Sequence, residues 1–194
     1  MNIGLVTSFL IGGIFLVAIL AFNIQVQSTS QELTLSTINQ SSLNDIVEVI
    51  TNDFNRIGFN TGIATPFTTI DSDDILFQGD VFDGDSYGVT NIRYHYDTTD
   101  PVTSTSNPND YYLVRTGPTG TSTYGDTKFP AVYFTVNYYT ATGTTTTDKA
   151  SVKKIEVELM IETGEAYSLN GTAKEYPRSV WKRIFVPNNI NLPY

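Results

Sequence analysis

Apolar side chains fill the start of the chain without a break. From Ile3 to Phe22 no residue is charged, and Thr7 and Ser8 are the polar side chains of the run. A helix of this length rises about 30 Å, the thickness of the hydrocarbon core of a bilayer. No Lys or Arg precedes the run and no small-x-small site follows it, which disfavours a cleaved secretory signal. The pattern predicts a helix that lies in a membrane or in the core of a polymer. The side chains expected to form this assembly surface are Ile3, Leu5, Phe9, Leu10, Ile14, Phe15, Val17, Ile19, Leu20 and Phe22.

The next segment continues the helix but changes its character. Residues 23–57 contain neither Pro nor Gly, and residues 23–42 are rich in Ser, Thr, Gln and Asn, with Glu32 as their one charge. Apolar residues then recur at the spacing of one helical face, while Asp53 and its polar neighbours are assigned to the other face. Gly58 follows the stripe, and glycine commonly ends helices. We therefore expect one continuous helix that ends at Ile57. The residues expected to pack on the rest of the protein are Leu43, Ile46, Val47, Ile50, Phe54 and Ile57.

Beyond Gly58 the period of the pattern changes to two. Alternating apolar and polar residues are typical of half-buried antiparallel strands. Turn-forming residues dominate residues 97–110, 116–126 and 140–148, which we expect to be loops. The predicted strands are residues 92–96, 132–139, 155–161 and 180–186, with shorter candidates at 75–77 and 111–115.

These patterns together predict an α+β fold. A long N-terminal α-helix, residues 1–58, is expected to pack on a C-terminal antiparallel β-sheet head, residues 59–194. Within the helix, residues 1–22 form the membrane or filament-core segment, and residues 23–58 are first polar and then amphipathic.

The charges are distributed unevenly. The chain has 11 Lys and Arg against 20 Asp and Glu, giving a formal net charge of -9, and no charged residue precedes Glu32. Such an acidic chain without a basic cluster is a poor nucleic-acid binder. The lack of Cys excludes thiolate metal sites and cysteine nucleophiles, and His95 is the single histidine. We therefore expect neither catalysis nor a bound organic cofactor.

Acidic residues cluster between positions 71 and 85. Three of them, Asp80, Asp83 and Asp85, share a turn that contains glycine. Calcium takes six to eight oxygen ligands, which turns rich in Asp and Gly supply. The spacing differs from that of an EF-hand loop, and a solvated turn without metal is the alternative. Asp80, Asp83 and Asp85 are therefore a candidate structural calcium site.

Several local stretches, taken in order, carry a family resemblance. Residues 53–60 (DFNRIGFN) end the predicted helix, and residues 74–85 (DILFQGDVFDGD) pair a strand with an acidic turn. With the strand segments that follow, they resemble the corresponding parts of the type IV pilin and pseudopilin superfamily, especially its larger minor-pilin and pseudopilin branch. The other matching stretches are residues 91–96, 112–115, 155–161 and 183–192.

The resemblance implies a structural subunit of an extracellular type IV pilus-like filament, assembled through its hydrophobic helix. The expected partners are further copies of the chain, the inner membrane before assembly and an assembly machinery. One alternative is a minor pseudopilin that initiates or caps another filament. An alternative of a different class is a membrane-anchored surface module that binds glycans or calcium.

Two features depart from the family pattern. Pilins and pseudopilins usually carry Glu at the fifth mature position and a short basic leader that ends in Gly. Here the fifth residue is Leu5, and the sequence shows no trace of such a leader. Either a leader has been removed before Met1, or Met1 is the initiator and the chain skips prepilin processing. The second is our expectation.

Overall fold

The protein has the predicted α+β fold. The computed structural model describes residues 3–82, 87–120, 122–169 and 173–191. One helix, α1 (Ile3–Asn55), precedes a head built of antiparallel strands. The described strands are β1 (Phe67–Ile70), β2 (Asp74–Gly79), β3 (Thr90–Pro101), β4 (Tyr111–Gly120), β5 (Thr123–Ala131), β6 (Tyr133–Tyr139), β7 (Lys154–Glu162), β8 (Tyr167–Leu169), β9 (Ala173–Glu175) and β10 (Arg178–Phe185).

The strands form two main sheets and one small hairpin. The larger sheet has the order β1-β2-β3-β4-β5, so each strand pairs with its neighbour in sequence. The smaller sheet has the order β10-β7-β6, and β8 pairs with β9. The two main sheets meet where the Val136 amide donates to the Ser72 carbonyl at 2.8 Å. The outer edges at β5 and β10 are therefore free of strand partners within the described chain.

The core lies between the second half of α1 and both main sheets. The Phe54 ring is at its centre, with ring centroids 5.7 Å from Phe77, 5.5 Å from Tyr94 and 5.3 Å from Phe185. Phe77 and Tyr94 come from the larger sheet and Phe185 from β10. A single helical residue therefore joins the two sheets.

The end of the helix is fixed by two glycines. Helix α1 ends at Asn55, two residues before the predicted end, and Gly58 then adopts a φ of 75°, which favours glycine. The Gly58 amide donates to the Gln78 carbonyl at 2.8 Å. A Cβ atom on Gly79 would collide with the Arg56 carbonyl oxygen. These contacts hold the helix end against β2.

The larger sheet contains more strand than the pattern predicted. The prediction of a loop at residues 116–126 is wrong, because β4 and β5 extend through it as a long hairpin. Likewise, β3 continues to Pro101 into the predicted loop 97–110. At the tip of the hairpin Gly117 pairs with Gly125 and Pro118 with Tyr124, so backbone pairing persists where apolar alternation is missing. The short strands β1, β8 and β9 were also missed, because their sequences show no apolar alternation.

Candidate assembly surface

The first half of α1 lies exposed, away from the described part of the head. Every residue from Ile3 to Gln27 is exposed, and the ten predicted assembly residues expose between 44% (Ile19) and 84% (Phe9) of their surface. Contiguous apolar surface of this extent is rare on soluble monomers and marks an interaction site. Within the described chain, α1 is the one helix long and apolar enough to cross a membrane.

The polar side chains of this segment are satisfied by the helix itself. The Thr7 hydroxyl donates to the Ile3 carbonyl at 2.8 Å, and the Ser8 hydroxyl donates to the Gly4 carbonyl at 2.9 Å. Both hydroxyl groups are therefore already hydrogen-bonded when the helix enters an apolar environment, where an unpaired hydroxyl would cost free energy. They do not interrupt the apolar character of the segment.

The second half of α1 is anchored in the head. Leu43, Ile46, Ile50 and Phe54 on the helix are buried, as is Ile57 in the turn after it, and Val47 is partly buried against the same core. Their spacing places them on one stripe of the helix. This stripe fixes the direction in which the free first half leaves the head.

The assignment of Asp53 to the solvent face is wrong. Its surface is only 1% exposed, and it forms a buried cluster with Arg115 on β4 and Tyr94 on β3. The Arg115 guanidinium donates from Nε to Asp53 Oδ2 at 2.6 Å and from Nη2 to Oδ1 at 3.2 Å. The Tyr94 hydroxyl donates to the same Oδ2 at 2.6 Å. This bidentate pair with a third donor links the helix to two strands of the larger sheet.

The cluster is electrostatically balanced. Burial, together with the Asp53 charge, raises the pKa of the Tyr94 hydroxyl well above its usual value, so Tyr94 remains a donor. Burial alone would lower the pKa of Arg115, but the hydrogen bonds and charge of Asp53 raise it above its usual value. The remaining guanidinium nitrogen, Nη1, donates to the Pro118 carbonyl at 2.9 Å. The buried charges are thus paired, as low-dielectric interiors require.

A second polar residue, Asn39, marks the start of the buried stripe. Its side chain is buried four residues before Leu43, and the sequence pattern had placed it in the neutral polar segment. The Asn39 Nδ2 group donates to the Pro177 carbonyl and the Ser179 hydroxyl, both at 3.1 Å. The helix is therefore tied to the smaller sheet at one end of the stripe and to the larger sheet at the other.

A long groove separates α1 from the β4–β5 hairpin. It consists of two cavities of about 550 and 460 Å³, which share Asp45 and Phe129 in their linings. The apolar side chains that line it are Leu35, Ile38, Ile46, Val49, Val81, Phe82, Pro118, Phe129, Pro130 and Ile161. Asp45 and Glu48 on its helical side are exposed. We call this feature the flank groove, and sequence reasoning did not foresee it.

One end of the flank groove is lined by polar residues of the β3–β4 loop and of the end of β7 and the loop after it. We call this set the strap: Thr105, Asp110, Glu162, Thr163 and Glu165. Glu162 accepts hydrogen bonds from Asn107 at 3.0 Å and from Arg178 at 2.8 and 2.5 Å. Asp110 is buried beside them; its Oδ2 accepts from the Thr105 hydroxyl at 2.9 Å, whereas Oδ1 has no hydrogen-bond partner among the described residues. Burial raises the pKa of Asp110, and the Glu162 charge adds to that rise.

The candidate calcium residues are placed only in part. Asp80 lies just after β2, where its carboxylate accepts from the Asn60 side-chain amide at 2.8 Å. Asp83 and Asp85 lie outside the described residues. In the described part of the chain, no three His, Cys, Asp or Glu side chains are grouped so that they could hold a metal ion. The calcium site stays a prediction.

Comparisons with known proteins identify no relatives. No protein-family model, no curated protein and no solved structure matches the chain. The function is therefore inferred from the chain's own surfaces.

Proposed function

We propose that the chain is a structural subunit of a type IV pilus-like extracellular filament, assembled through the exposed first half of α1. The observation that carries this proposal is the free apolar helix, whose 13 large apolar side chains from Ile3 to Phe22 are all exposed although the head behind it has a complete core. Burying these side chains at roughly 1.5–3 kcal/mol each supplies a driving force of tens of kcal/mol. The segment needs a partner.

Two environments in succession satisfy this need. The segment first lies in a membrane, since its length matches the hydrocarbon core and its two hydroxyl groups are paired internally. It then packs against the same segments of other copies, with the assembly machinery moving it from one environment to the other. A contact repeated head to tail without closing produces a helical fibre.

The acidic head suits the outer surface of such a fibre. No acid or base precedes Glu32, so the whole net charge of -9 belongs to the polar part of the helix and the head. Like charges on the outside keep fibres soluble and apart. The head requires no enzymatic activity or cofactor in this role.

A charge in the apolar segment tests the proposal. Leu10→Asp would place a carboxylate in the filament core, so we expect filaments sheared from producing cells to disappear in electron micrographs. Leu10→Met keeps the apolar volume and serves as the matched control, which should assemble normally. Normal filaments from Leu10→Asp, with the head still folded, would contradict the proposal.

The alternatives predict different outcomes. A minor pseudopilin would be found at low abundance within fibres made of another protein. A membrane-anchored binding module would form no fibres and would retain glycan or calcium binding in the Leu10→Asp variant. Sheared material composed of this chain alone is the result that our proposal requires.

A further inference from the structure

Strand β10 presents an unpartnered edge with apolar side chains. It pairs with β7 on one side only, and its other edge is free within the described chain. Val180 and Ile184 on this strand are 54% and 55% exposed, and Val186 directly after it is equally open. Long apolar edge strands are sites where another chain adds or docks, unless something covers them.

The charge of β10 is entirely positive. Its sequence, RSVWKRIF, contains three cations and no acid. Arg178 is paired with Glu162, and Lys182 lies 3.1 Å from Glu156. The guanidinium of Arg183 lies 5.2 Å from the Phe185 ring centroid and, within the described chain, forms no ion pair. Because side chains alternate along a strand, Val180 and Ile184 lie on one face of β10 and Arg183 on the other. The edge therefore carries apolar side chains on one face and an available positive charge on the other.

The flank groove has the opposite charge and a matching length. Its apolar lining is bordered by the exposed carboxylates of Asp45 and Glu48, which form no ion pair in the part of the chain that the structure describes. Its helical wall runs from Leu35 to Asn52, about 26 Å at 1.5 Å per residue. The eight residues of β10 extend over about 26 Å at 3.3 Å each.

The free β10 edge and the Val49 end of the groove lie on different flanks of the helix. Val49 lines the groove, whereas Phe54 contacts Phe185 of β10, and five residues at 100° each place these side chains about 140° apart. At the other end of the groove, Asn39 and Glu162 bond to Ser179 and Arg178 of β10 through side chains. A β10 edge that fills the groove along its length therefore comes from a second copy, in a contact that uses different surfaces on the two partners.

We propose that the β10 edge of one copy docks into the flank groove of the next copy. The contact places Val180 and Ile184 against the apolar lining and Arg183 near Asp45 and Glu48. Because the contact is heterologous, it repeats without closing and adds a lateral contact between heads to the helical core. The inference rests on the proposed filament, to which it assigns a second interface.

Cysteine cross-linking tests this contact directly, since the chain contains no Cys. Ser42, exposed in the groove wall, is changed to Cys together with either Val180→Cys or Ile184→Cys, so that both directions of the docked strand are sampled. The matched control pairs Ser42→Cys with Thr142→Cys, an exposed position in the turn after β6. Sheared filaments of the full chain are treated with a short bis-maleimide.

The expected result is a ladder of covalent oligomers from at least one test pair and none from the control. Asp45→Lys with Glu48→Lys should lower the cross-linking yield about tenfold, which corresponds to about 1.4 kcal/mol. Adding Arg183→Glu should restore the yield, because the charges are then reversed on both sides.

The outcomes separate this inference from the proposed function. Filaments without a ladder from either test pair would overturn the lateral contact and leave the filament intact as a proposal. If the wild-type chain forms no filaments, the proposed function fails, and the same pairs are then cross-linked in the membranes of the producing cells. A covalent dimer there supports the contact, and its absence overturns it.

Discussion

The first and second halves of α1 have opposite relations to the rest of the molecule. In the first half, large apolar side chains such as Phe15 are exposed, whereas in the second half Phe54 is fully buried between two sheets. Polar groups follow the reverse pattern: Thr7 and Ser8 bond to their own helix, while Asn39 and Asp53 bond to the head.

The difference shows what each half contributes. The second half supplies apolar contacts and specific polar pairs, so its side chains determine the stability of the head. Among the described residues of one copy the first half has no packing partner, so we expect its side chains to act through a membrane or through other copies. Substitutions at matched positions of the two halves should therefore affect different measurements.

The largest effect on stability is expected from Asp53→Ala. It leaves the Arg115 guanidinium buried without its carboxylate, which typically costs about 3–5 kcal/mol. The free energy of unfolding can be measured on the full chain in detergent micelles by the fluorescence of Trp181, the single tryptophan. The exposed Asp45→Ala on the same helix is the control and should change stability by less than about 0.5 kcal/mol.

The same cluster allows a second comparison. Replacing both partners, with Asp53→Leu and Arg115→Met, removes the buried charges together and should recover much of the lost stability. A loss below about 1 kcal/mol for Asp53→Ala would instead show that the cluster does not anchor the helix.

Phe54→Ala and Phe15→Ala compare the two halves with one chemical change. Phe54→Ala should cost about 3–5 kcal/mol, because it opens a cavity between Phe77, Tyr94 and Phe185. Phe15→Ala should leave the unfolding of the head unchanged and reduce the yield of sheared filaments. Equal losses of head stability from both variants would contradict the division of α1 into a free and an anchored half.

Much of this division could be read from the sequence. The uncharged run predicted the free half, and the helical stripe from Leu43 predicted the face that packs on the head. The alternating segments predicted most of the strands that form the core. These features depend on local periodicity, which a single sequence displays directly.

The polar anchors were missed because polar residues were assigned to solvent by default. A signal existed: Asp53 follows Ile46 by seven residues and Ile50 by three, and Asn39 precedes Leu43 by four, so both fall on the buried stripe. The partners of these residues could not be inferred, since Arg115 lies 62 residues beyond Asp53, on strand β4. The flank groove also depends on how the hairpin packs, which no local pattern encodes.

A smaller effect is expected at the start of the anchored half. Asn39→Ala removes donors to the Pro177 carbonyl and the Ser179 hydroxyl, and an unsatisfied buried group costs about 1–3 kcal/mol. The neighbouring Gln40→Ala is the control, because Gln40 bonds only to the exposed Asn44 among the described residues. The Trp181 assay should also resolve this difference, since Trp181 lies on β10, two residues after Ser179. Equal stability of the two variants would place the start of the anchored half nearer to Leu43.

The smallest effect concerns the pH dependence of the loops that close the groove beside Asn39. Burial raises the folded-state pKa of Asp110 above its unfolded value, so its contribution to stability is present at low pH and is lost as pH rises through the folded pKa. Burial also acts against ionisation of Glu162, but hydrogen bonds from Arg178 and Asn107 lower its pKa overall, so its contribution to stability is lost as pH falls.

Two variants test these opposite signs through the free energy of unfolding, measured relative to the wild type between pH 3 and pH 7. For Asp110→Asn this difference should become more favourable as pH rises. For Glu162→Gln it should become less favourable over the same range. Asp110 is bonded to Thr105, and Glu162 is bonded to Arg178 of β10. Opposite pH slopes of the two stability differences would show that ionised Glu162 stabilises the strap and that ionised Asp110 destabilises it. If the stability differences of both variants changed with pH in the same direction, this assignment would be contradicted. The strap would then not contribute to the stability of the anchored half of the helix in the expected way.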